Sequence, residues 1–357
     1  MQYSKEVPLG FSYDDVLLIP QYSKIKSRSD VDLSTQITPR VKLIIPLISI
    51  NMTDVTGVEM AIALGKLGGL GFLPRFFSPE KQADMVMQIK KSGVYAGAAI
   101  GCRQGYLDRA EKLVKAGADI LTLDVAHAHM LQALEATAEL KRRFGKSVDI
   151  IAGVVGTEKG ADDLFKNGAD SVRVGVGPGT ICITRVVTGS GVPQITALTD
   201  AARAARKWKR TILCDGGTKN SGDIVKGLAA GASAVIIGSQ FAGTDEAPGK
   251  IVVINDKKFK IYNASTSPVE KKNHKKINGN ELGKNYTKQI EGVESLVPYK
   301  GPLKQVIEMM SANVRSGLSY SGAKNIPELW KKAKFIQITF MGQKESGAHD
   351  VIQSPGK

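Results

Sequence analysis

The chain has 357 residues, and its 49 lysines and arginines exceed its 34 acidic residues, which gives a formal net charge of +15. Its hydrophobic fraction of 42% and charged fraction of 23% are typical of globular proteins and exclude a wholly disordered chain. Three widely spaced cysteines exclude a disulfide framework and predict the reducing conditions of the cytoplasm. No apolar run approaches the ~18 residues that a membrane span needs, so we expect no membrane association.

In chain order, short apolar runs alternate with amphipathic stretches at helical spacing from about residue 45 to residue 240. The predicted strands are Leu47–Asn51, Leu70–Leu73, Ala96–Ile100, Ile120–Asp124, Ile150–Gly153, Ser171–Val176, Ile212–Asp215 and Ala234–Ile237. Eight strands, each followed by a helical pattern, predict an α/β protein with a single (β/α)8 TIM barrel over residues 1–357. The alternative is an open doubly wound sheet, but its Gly-x-Gly-x-x-Gly turn after the first strand is absent.

Small and polar residues follow the predicted strands, at the end of a barrel where active-site groups lie. Gly216 and Gly217 follow the seventh strand, and Gly238 and Ser239 follow the eighth. Barrels commonly hold a phosphate group in these two loops, because glycine lets backbone amides approach an anion. The pattern therefore predicts a phosphorylated ligand.

A glycine-rich loop after the sixth predicted strand contains Cys182, in the sequence Gly-Val-Gly-Pro-Gly-Thr-Ile-Cys-Ile-Thr over 175–184. The exposed backbone donors of such a loop favour a thiolate, which could attack an electrophilic carbon with two threonines of the loop close by. The alternative is a buried packing cysteine. We predict that packing role for Cys102 and Cys214, which lack such a loop.

The histidines do not predict a metal centre. His127 and His129 stand two residues apart after the fourth predicted strand, but no cluster of further histidines or cysteines accompanies them. A structural role is therefore favoured for this pair. His274 and His349 have no evident partner in the sequence.

Positive charge is concentrated in residues 250–305, which contain twelve lysines and five acidic residues. Such a segment is typical of a solvated insertion. A basic surface can also bind nucleic acid, but such sites usually interleave aromatic side chains, and only four aromatic residues are scattered here. Nucleic-acid binding is therefore a minor alternative.

The cysteine loop and several other segments resemble the IMP dehydrogenase / GMP reductase family. The loop is matched over 175–185 and 188–197. Further segments that agree with the family are 13–20, 215–225, 238–249, 297–302 and the tail from 315 to 351. The resemblance implies a TIM barrel with a mobile flap insertion over 244–300 and a C-terminal tail over 325–357.

The resemblance also implies a role for each matching residue. Cys182 would bond covalently to C2 of a purine nucleoside 5'-monophosphate, and Thr184 with Glu291 would handle protons. The residues implied to bind this substrate are Asp215, on the ribose, and Thr180, Gly216, Gly217, Gly238, Ser239 and Tyr262, on the phosphate. The residues implied to face the cofactor, NADPH/NADP or NAD, are Asp124 and Asn51. A K⁺ site would use the backbone carbonyls of Gly177, Gly179 and Cys182, and a homotetramer is expected.

The family has two branches that treat the covalent adduct differently. The dehydrogenase oxidises IMP with NAD and then hydrolyses the adduct, using an Arg-Tyr pair on its flap. The reductase releases ammonia from GMP and takes a hydride from NADPH, so it does not need that arginine. This chain has no arginine between Arg210 and Arg315, and lysine is a poor substitute for one. The sequence therefore favours a GMP reductase.

Other segments keep two alternatives open. The sequences at 191–196, 221–226 and 336–346 resemble a dehydrogenase, which here would lack the family's regulatory insert. The sequence also departs from the family pattern, for example at Val154 and at 73–75. These departures motivate a further alternative, a protein that binds a purine nucleotide without turning it over.

Overall fold

A closed parallel barrel of eight strands forms the centre of the fold. The computed structural model describes residues 7–278, 285–348 and 351. The strands that precede the barrel are β1 (Val16–Leu18), β2 (Thr35–Gln36) and β3 (Lys42–Leu43). The barrel strands are β4 (Leu47–Ser49), β5 (Leu70–Leu73), β6 (Gly97–Ile100), β7 (Ile120–Leu123), β8 (Asp149–Val155), β9 (Ser171–Val174), β10 (Thr211–Asp215) and β11 (Ala234–Ile237). Because β11 pairs with β4 and closes the circle, the predicted (β/α)8 barrel is confirmed.

Helices connect the barrel strands, as the amphipathic pattern predicts. They are α1 (Val58–Lys66), α2 (Pro79–Lys91), α3 (Tyr106–Lys115), α4 (Leu131–Phe144), α5 (Glu158–Lys166), α6 (Thr184–Thr188), α7 (Gln194–Trp208), α8 (Ser221–Ala229) and α9 (Ser239–Ala242). Ser78, Thr157 and Asn220 begin α2, α5 and α8, where each side chain accepts a backbone N–H of the first turn. Such caps satisfy amide donors that the helix itself leaves unpaired.

The amino-terminal end of the barrel is filled by apolar side chains. Ile37 and Val41, from the β2–β3 hairpin, belong to one buried cluster with Ile48, Phe72 and Ile151 of the barrel interior. Burial of each side chain of this kind stabilises the fold by about 1.5–3 kcal/mol. The filled end leaves the carboxyl ends of the strands as the face on which a site can form.

The segment predicted as the flap, 244–300, forms a small subdomain on that open face. Its antiparallel sheet contains β12 (Ile251–Ile254), β13 (Lys257–Ile261) and β14 (Leu296–Pro298), and its helix is α10 (Pro268–Asn278). Glu270 of α10 accepts a hydrogen bond from Thr53 Oγ1 at 2.8 Å, just beyond β4. His274 stacks on Phe76 beyond β5, with ring centres 3.3 Å apart. These contacts place α10 above the ends of β4 and β5.

Two expectations about this segment were wrong. His274 has partners: besides its stack on Phe76, its Nδ1 shares a hydrogen bond of 2.9 Å with the Tyr286 hydroxyl. The segment is also not uniformly solvated, because Lys260 and Lys271 are buried. Lys260 Nζ donates to the carbonyl oxygens of Thr244 at 2.7 Å and Ala247 at 2.5 Å, which satisfies the buried ammonium.

The carboxyl-terminal part of the chain packs back onto the barrel. It contains α11 (Leu303–Tyr320), α12 (Ile326–Lys332), β15 (Phe335–Gln337) and α13 (Phe340–Lys344). β15 pairs antiparallel with β1, so the predicted tail over 325–357 joins the amino-terminal segment in a two-stranded sheet. His349 lies outside the described residues. Across the ranges that the structure describes, no helix is both long and apolar enough to cross a membrane.

Candidate active site

A cavity of about 190 Å³ opens at the carboxyl ends of the barrel strands. The predicted site residues that line it are Asn51, Asp124, Gly179, Thr180, Cys182, Gly216, Gly217, Gly238, Ser239 and Tyr262. Lining residues that the sequence did not predict are Met52, Arg173, Thr218, Ser265 and Thr266. The fold thus brings residues from five of the barrel loops and from the flap to one place.

Cys182 stands at the start of a short chain of polar side chains. Its thiol donates to Thr184 Oγ1 at 3.1 Å, and the Thr184 hydroxyl donates to Glu291 Oε2 at 2.7 Å. The contacts connect a half-buried nucleophile to a carboxylate through one hydroxyl, which is an arrangement that can carry a proton. The structure therefore brings together the cysteine, threonine and glutamate that the sequence predicted as a catalytic group.

Backbone pairing holds Glu291 beside the cysteine loop. The Ile183 N–H donates to the Glu291 carbonyl at 2.9 Å, and the Val293 N–H donates to the Ile181 carbonyl at 3.1 Å. Cys182 and Gly292 face each other as an antiparallel bridge. This pairing fixes the register of the flap segment on the loop, so the spacing from Thr184 to Glu291 does not depend on side-chain contacts alone.

The loops after β10 and β11 form the other end of the cavity. Gly216 and Gly217 adopt positive φ angles of 93° and 84°, which are favourable for glycine and leave their backbone open to the cavity. The Tyr262 hydroxyl lies only 2.5 Å from the position that a Cβ on Gly238 would occupy. Burial raises the pKa of Tyr262, so this phenol stays protonated and available as a donor.

A buried ion pair crosses the floor of the cavity. Arg173 Nε donates to Asp215 Oδ2 at 2.8 Å, and its Nη2 lies 2.7 Å from the same oxygen. Its Nη1 lies 4.0 Å from Asp124 Oδ1. Burial raises the pKa of Asp215, although the guanidinium opposes that shift. Burial also acts to raise the pKa of Asp124, but Arg75 and Arg173 outweigh it and hold this pKa below its usual value.

Arg173 is the main residue that the sequence analysis missed. A signal for it was present, because the predicted strand reads Ser-Val-Arg-Val and a charged residue is rare inside a barrel strand. Asp215 was predicted to bind ribose, and its side chain is held on Arg173 at the cavity floor. That placement is compatible with a further hydrogen bond to a hydroxyl, because a carboxylate accepts several.

A second cavity of about 430 Å³ adjoins the first and shares Asp124 with it. Its basic lining residues are Arg75, Arg103, Arg109 and His127, and Tyr286 of the flap closes one side. Arg75 Nε donates to Asp124 Oδ2 at 3.0 Å, which fixes both side chains between the two cavities. Asn51 Oδ1 is buried at the junction and has no hydrogen-bond partner within the described ranges. A bound ligand could supply that partner.

The remaining predicted residues have other positions. Cys102 and Cys214 are buried, as predicted for packing residues, and Cys214 Sγ lies 2.9 Å from the Tyr13 hydroxyl. His129 Nε2 pairs with Asp163 at 2.9 Å. In the part of the chain that the structure describes, no group of three or more metal-ligating side chains occurs.

Comparison with known proteins agrees with this geometry. A sequence profile described as the IMP dehydrogenase / GMP reductase domain matches residues 10–349. An inosine-5'-monophosphate dehydrogenase of Cryptosporidium parvum is 36% identical over 98% of this chain and 97% of its own length. A GMP reductase of Leishmania donovani is 31% identical over 97% of this chain and 98% of its own length. The chain belongs to the IMP dehydrogenase / GMP reductase family.

A solved structure of this family is also similar. It is a cysteine-to-alanine variant of GMP reductase from Trypanosoma brucei in complex with guanosine 5'-monophosphate. It superposes with a TM-score of 0.92 at 29% identity, over 99% of this chain and all of the other. Members of the IMP dehydrogenase / GMP reductase family are oxidoreductases of purine metabolism, and this chain shares that class.

Proposed function

We propose that this chain is a GMP reductase that converts GMP and NADPH to IMP, ammonia and NADP through a covalent bond to Cys182. The observation that carries the proposal is the Cys182–Thr184–Glu291 chain beside a flap that contains no arginine. Hydrolysis of an adduct would need a group that activates water, whereas release of ammonia needs a group that donates a proton. The Thr184–Glu291 pair is suited to the second task.

The first cavity would hold the purine nucleotide with its base against Cys182. We assign its phosphate to the backbone amides and hydroxyl groups of Thr180, Gly216, Gly217, Gly238, Ser239 and Tyr262. Asp215, fixed by Arg173, would accept hydrogen bonds from the ribose hydroxyls. The GMP bound in the similar Trypanosoma brucei reductase supports a purine monophosphate as the ligand.

Substitution of Gly238 by alanine tests the phosphate end of this assignment. The new Cβ would lie 2.5 Å from the Tyr262 hydroxyl and would displace it. We expect the affinity for GMP to fall on the order of tenfold, about 1.4 kcal/mol. Gly342→Ala, in the exposed helix α13, is the control, because its Cβ meets only ordinary contacts of 3.5 Å or more. Calorimetric titration with GMP measures both variants, and equal affinities would contradict the assignment.

The covalent step is a substitution at C2. Cys182 sulfur would attack C2 of GMP, its proton passing through Thr184 to Glu291. The bond from C2 to the amino nitrogen would then break, and ammonia would leave with that proton. NADPH would supply a hydride to C2, the C2–S bond would break, and IMP would leave as the thiolate takes up a proton from water. The sum is GMP, NADPH and one proton giving IMP, ammonia and NADP.

The second cavity would hold the coenzyme. Asp124 lines both cavities and Asn51 lines the first one, and a nicotinamide ring must lie at the junction of the cavities to reach C2. Arg75 and Arg103 give the outer part of this cavity a positive lining that suits the phosphates of a dinucleotide. The unpartnered Asn51 oxygen is also suited to accept a hydrogen bond from a carboxamide.

A second candidate function is an IMP dehydrogenase that converts IMP, NAD and water to XMP and NADH. The relatives that favour it are dehydrogenases 33% to 36% identical to this chain, which is above the 31% of the reductases. The reductase is the stronger proposal because the missing arginine bears on the chemical step that separates the branches.

Several further properties belong to the same proposal. The chain would act as one catalytic domain with a flap over 244–300 and a tail over 325–357, as a homotetramer in the cytoplasm. A K⁺ ion would be held by the carbonyls of Gly177, Gly179 and Cys182. The Gly179 carbonyl accepts the Cys182 N–H at 3.1 Å, and its second lone pair would face the ion.

Two matched assays decide between the candidate functions. We expect the absorbance of NADPH to fall when GMP is present, with ammonia and IMP formed in equal amounts. AMP is the control, because it has no amino group at C2 to displace. Formation of NADH from IMP and NAD would overturn the reductase proposal in favour of the dehydrogenase. If neither occurs while GMP still raises the melting temperature, the chain binds a nucleotide without turnover.

A further inference from the structure

Lys271 is a buried cation of the flap to which the chemistry above gives no role. The residue is 4% exposed, although it belongs to a helix whose other lysines are exposed. Its Nζ donates to the carbonyl oxygen of Gln289 and lies 4.6 Å from the centre of the Tyr286 ring. An ammonium is costly to bury unless it is paired, so a contact of this kind points to a specific task.

The contact joins α10 to the segment that carries Glu291. Gln289 stands two residues before Glu291, and the same segment is bound on its other side to the cysteine loop through Ile183 and Val293. The segment is therefore held between Lys271 and the loop. A shift of this segment would change the 2.7 Å contact between Thr184 and Glu291.

The charge of Lys271 also bears on Glu291. The two side chains attract each other: burial lowers the pKa of Lys271, and the negative charge of Glu291 opposes that shift. Arg103, in the lining of the second cavity, is a like charge that further lowers the pKa of Lys271. The ring of Tyr286 lies beside the ammonium, and the Tyr286 hydroxyl shares a hydrogen bond with His274. Lys271 thus supplies positive charge near Glu291.

We propose that Lys271 is a positioning residue for the Thr184–Glu291 pair. Its ammonium fixes the segment from Gln289 to Glu291 against the cysteine loop, so that the Glu291 carboxylate stays within reach of the Thr184 hydroxyl. The inference rests on the proposed function, in which this pair handles the proton of the departing ammonia. It also gives a task to a flap cation in a chain whose flap lacks arginine.

Substitution of Lys271 by methionine, which keeps the length of the side chain, tests this inference. We expect kcat to fall on the order of tenfold, less than the ~10²–10⁴-fold contribution of a group that itself transfers the proton. The KM for GMP should stay unchanged, because Lys271 does not line the nucleotide cavity. Lys271→Arg should restore part of the lost kcat, because a guanidinium can donate to the same carbonyl oxygen.

Lys272→Met is the matched control, because it removes the same charge from the exposed neighbouring position. A kcat in Lys271→Met equal to that of the wild type, or equal losses in the two variants, would overturn the inference. Alkylation of Cys182 by iodoacetamide at one fixed pH, followed by peptide mass spectrometry, examines the pair without turnover. We expect the alkylation to be slower in Lys271→Met only, because a displaced Glu291 accepts the thiol proton through Thr184 less well. This second measurement separates failure of the inference from failure of the reductase assay.

Discussion

Replacement of Cys182 by serine is expected to abolish turnover while leaving nucleotide binding intact. The thiol is the nucleophile of the proposed mechanism, and the hydroxyl that replaces it is a weaker nucleophile and a poorer leaving group from C2. We expect kcat to fall ~10⁴-fold or more, as it does when other enzymes lose a covalent nucleophile. The cavity residues that would hold phosphate and ribose are untouched, so GMP should still raise the melting temperature.

Cys214→Ala is the control for this substitution. Cys214 is buried, hydrogen-bonded to Tyr13 and outside the cavity lining. Its loss should lower stability modestly and leave kcat close to that of the wild type. Mass spectrometry of the wild-type protein during turnover should show a purine adduct on the peptide that contains Cys182 and none in the serine variant. Turnover by the serine variant at a rate comparable with the wild type would exclude the covalent mechanism.

Much of the fold could be predicted from the sequence, because strands of a parallel barrel are covered on both faces and form continuous apolar runs. β5 and β11 match their predicted bounds at both ends. β8 is longer than its predicted strand, from Asp149 to Val155. Its first residue is acidic and broke the apolar pattern, yet Asp149 is buried and accepts the Arg40 N–H at 2.9 Å. Whether such an acidic residue can be buried in a strand depends on a partner far away in the sequence, which the local pattern does not show.

In the flap, too, the sequence pattern did not show which charged residues are buried. A run of lysines indicates a solvated surface, and nothing local distinguishes Lys260 and Lys271 from their exposed neighbours. Both can be buried because backbone carbonyl oxygens elsewhere in the flap accept hydrogen bonds from their ammonium groups, and those partners are defined only by the tertiary fold. Similarly, the sequence does not show the stacking partner of His274, which is Phe76 once α10 lies over β5.

The proposed catalytic group could be predicted in part. The motif around Cys182 could be recognised locally, and Glu291 was inferred only through the family resemblance. The backbone pairing between Ile183 and Glu291 accounts for the meeting of two residues so far apart in the chain. Arg173 was visible as a charge inside a strand, but its partner depends on the register of the barrel. Leu213 lies opposite Arg173, which places Asp215 one pleat further along β10 on the same face.

Arg173→Met is expected to produce the largest loss of stability among single substitutions in the cavity floor. The side chain is 4% exposed, and it donates a hydrogen bond to Asp215 and forms an ion pair with it, while Asp215 is 7% exposed. Removal of one partner leaves a buried carboxylate without its counter-ion, so we expect the free energy of unfolding to fall by about 3–5 kcal/mol. Urea denaturation measures this loss. Arg203→Met is the matched control, because that arginine also pairs with two acids but is 51% exposed, and it should cost at most about 1 kcal/mol.

The pH dependence of the stability of the Arg173→Met variant gives a sharper test, because loss of the counter-ion of Asp215 predicts its direction. Burial already raises the pKa of Asp215 in the folded protein, and loss of the guanidinium raises it further. The folded variant then binds a proton that the unfolded chain releases, so its stability should rise as the pH falls from neutral towards the ordinary pKa of an aspartate. A double variant, Arg173→Met with Asp215→Leu, should recover much of the loss at neutral pH because no uncompensated charge remains. A deficit that stays constant with pH and persists in the double variant would show that Arg173 stabilises the barrel by packing alone, without an essential ion pair.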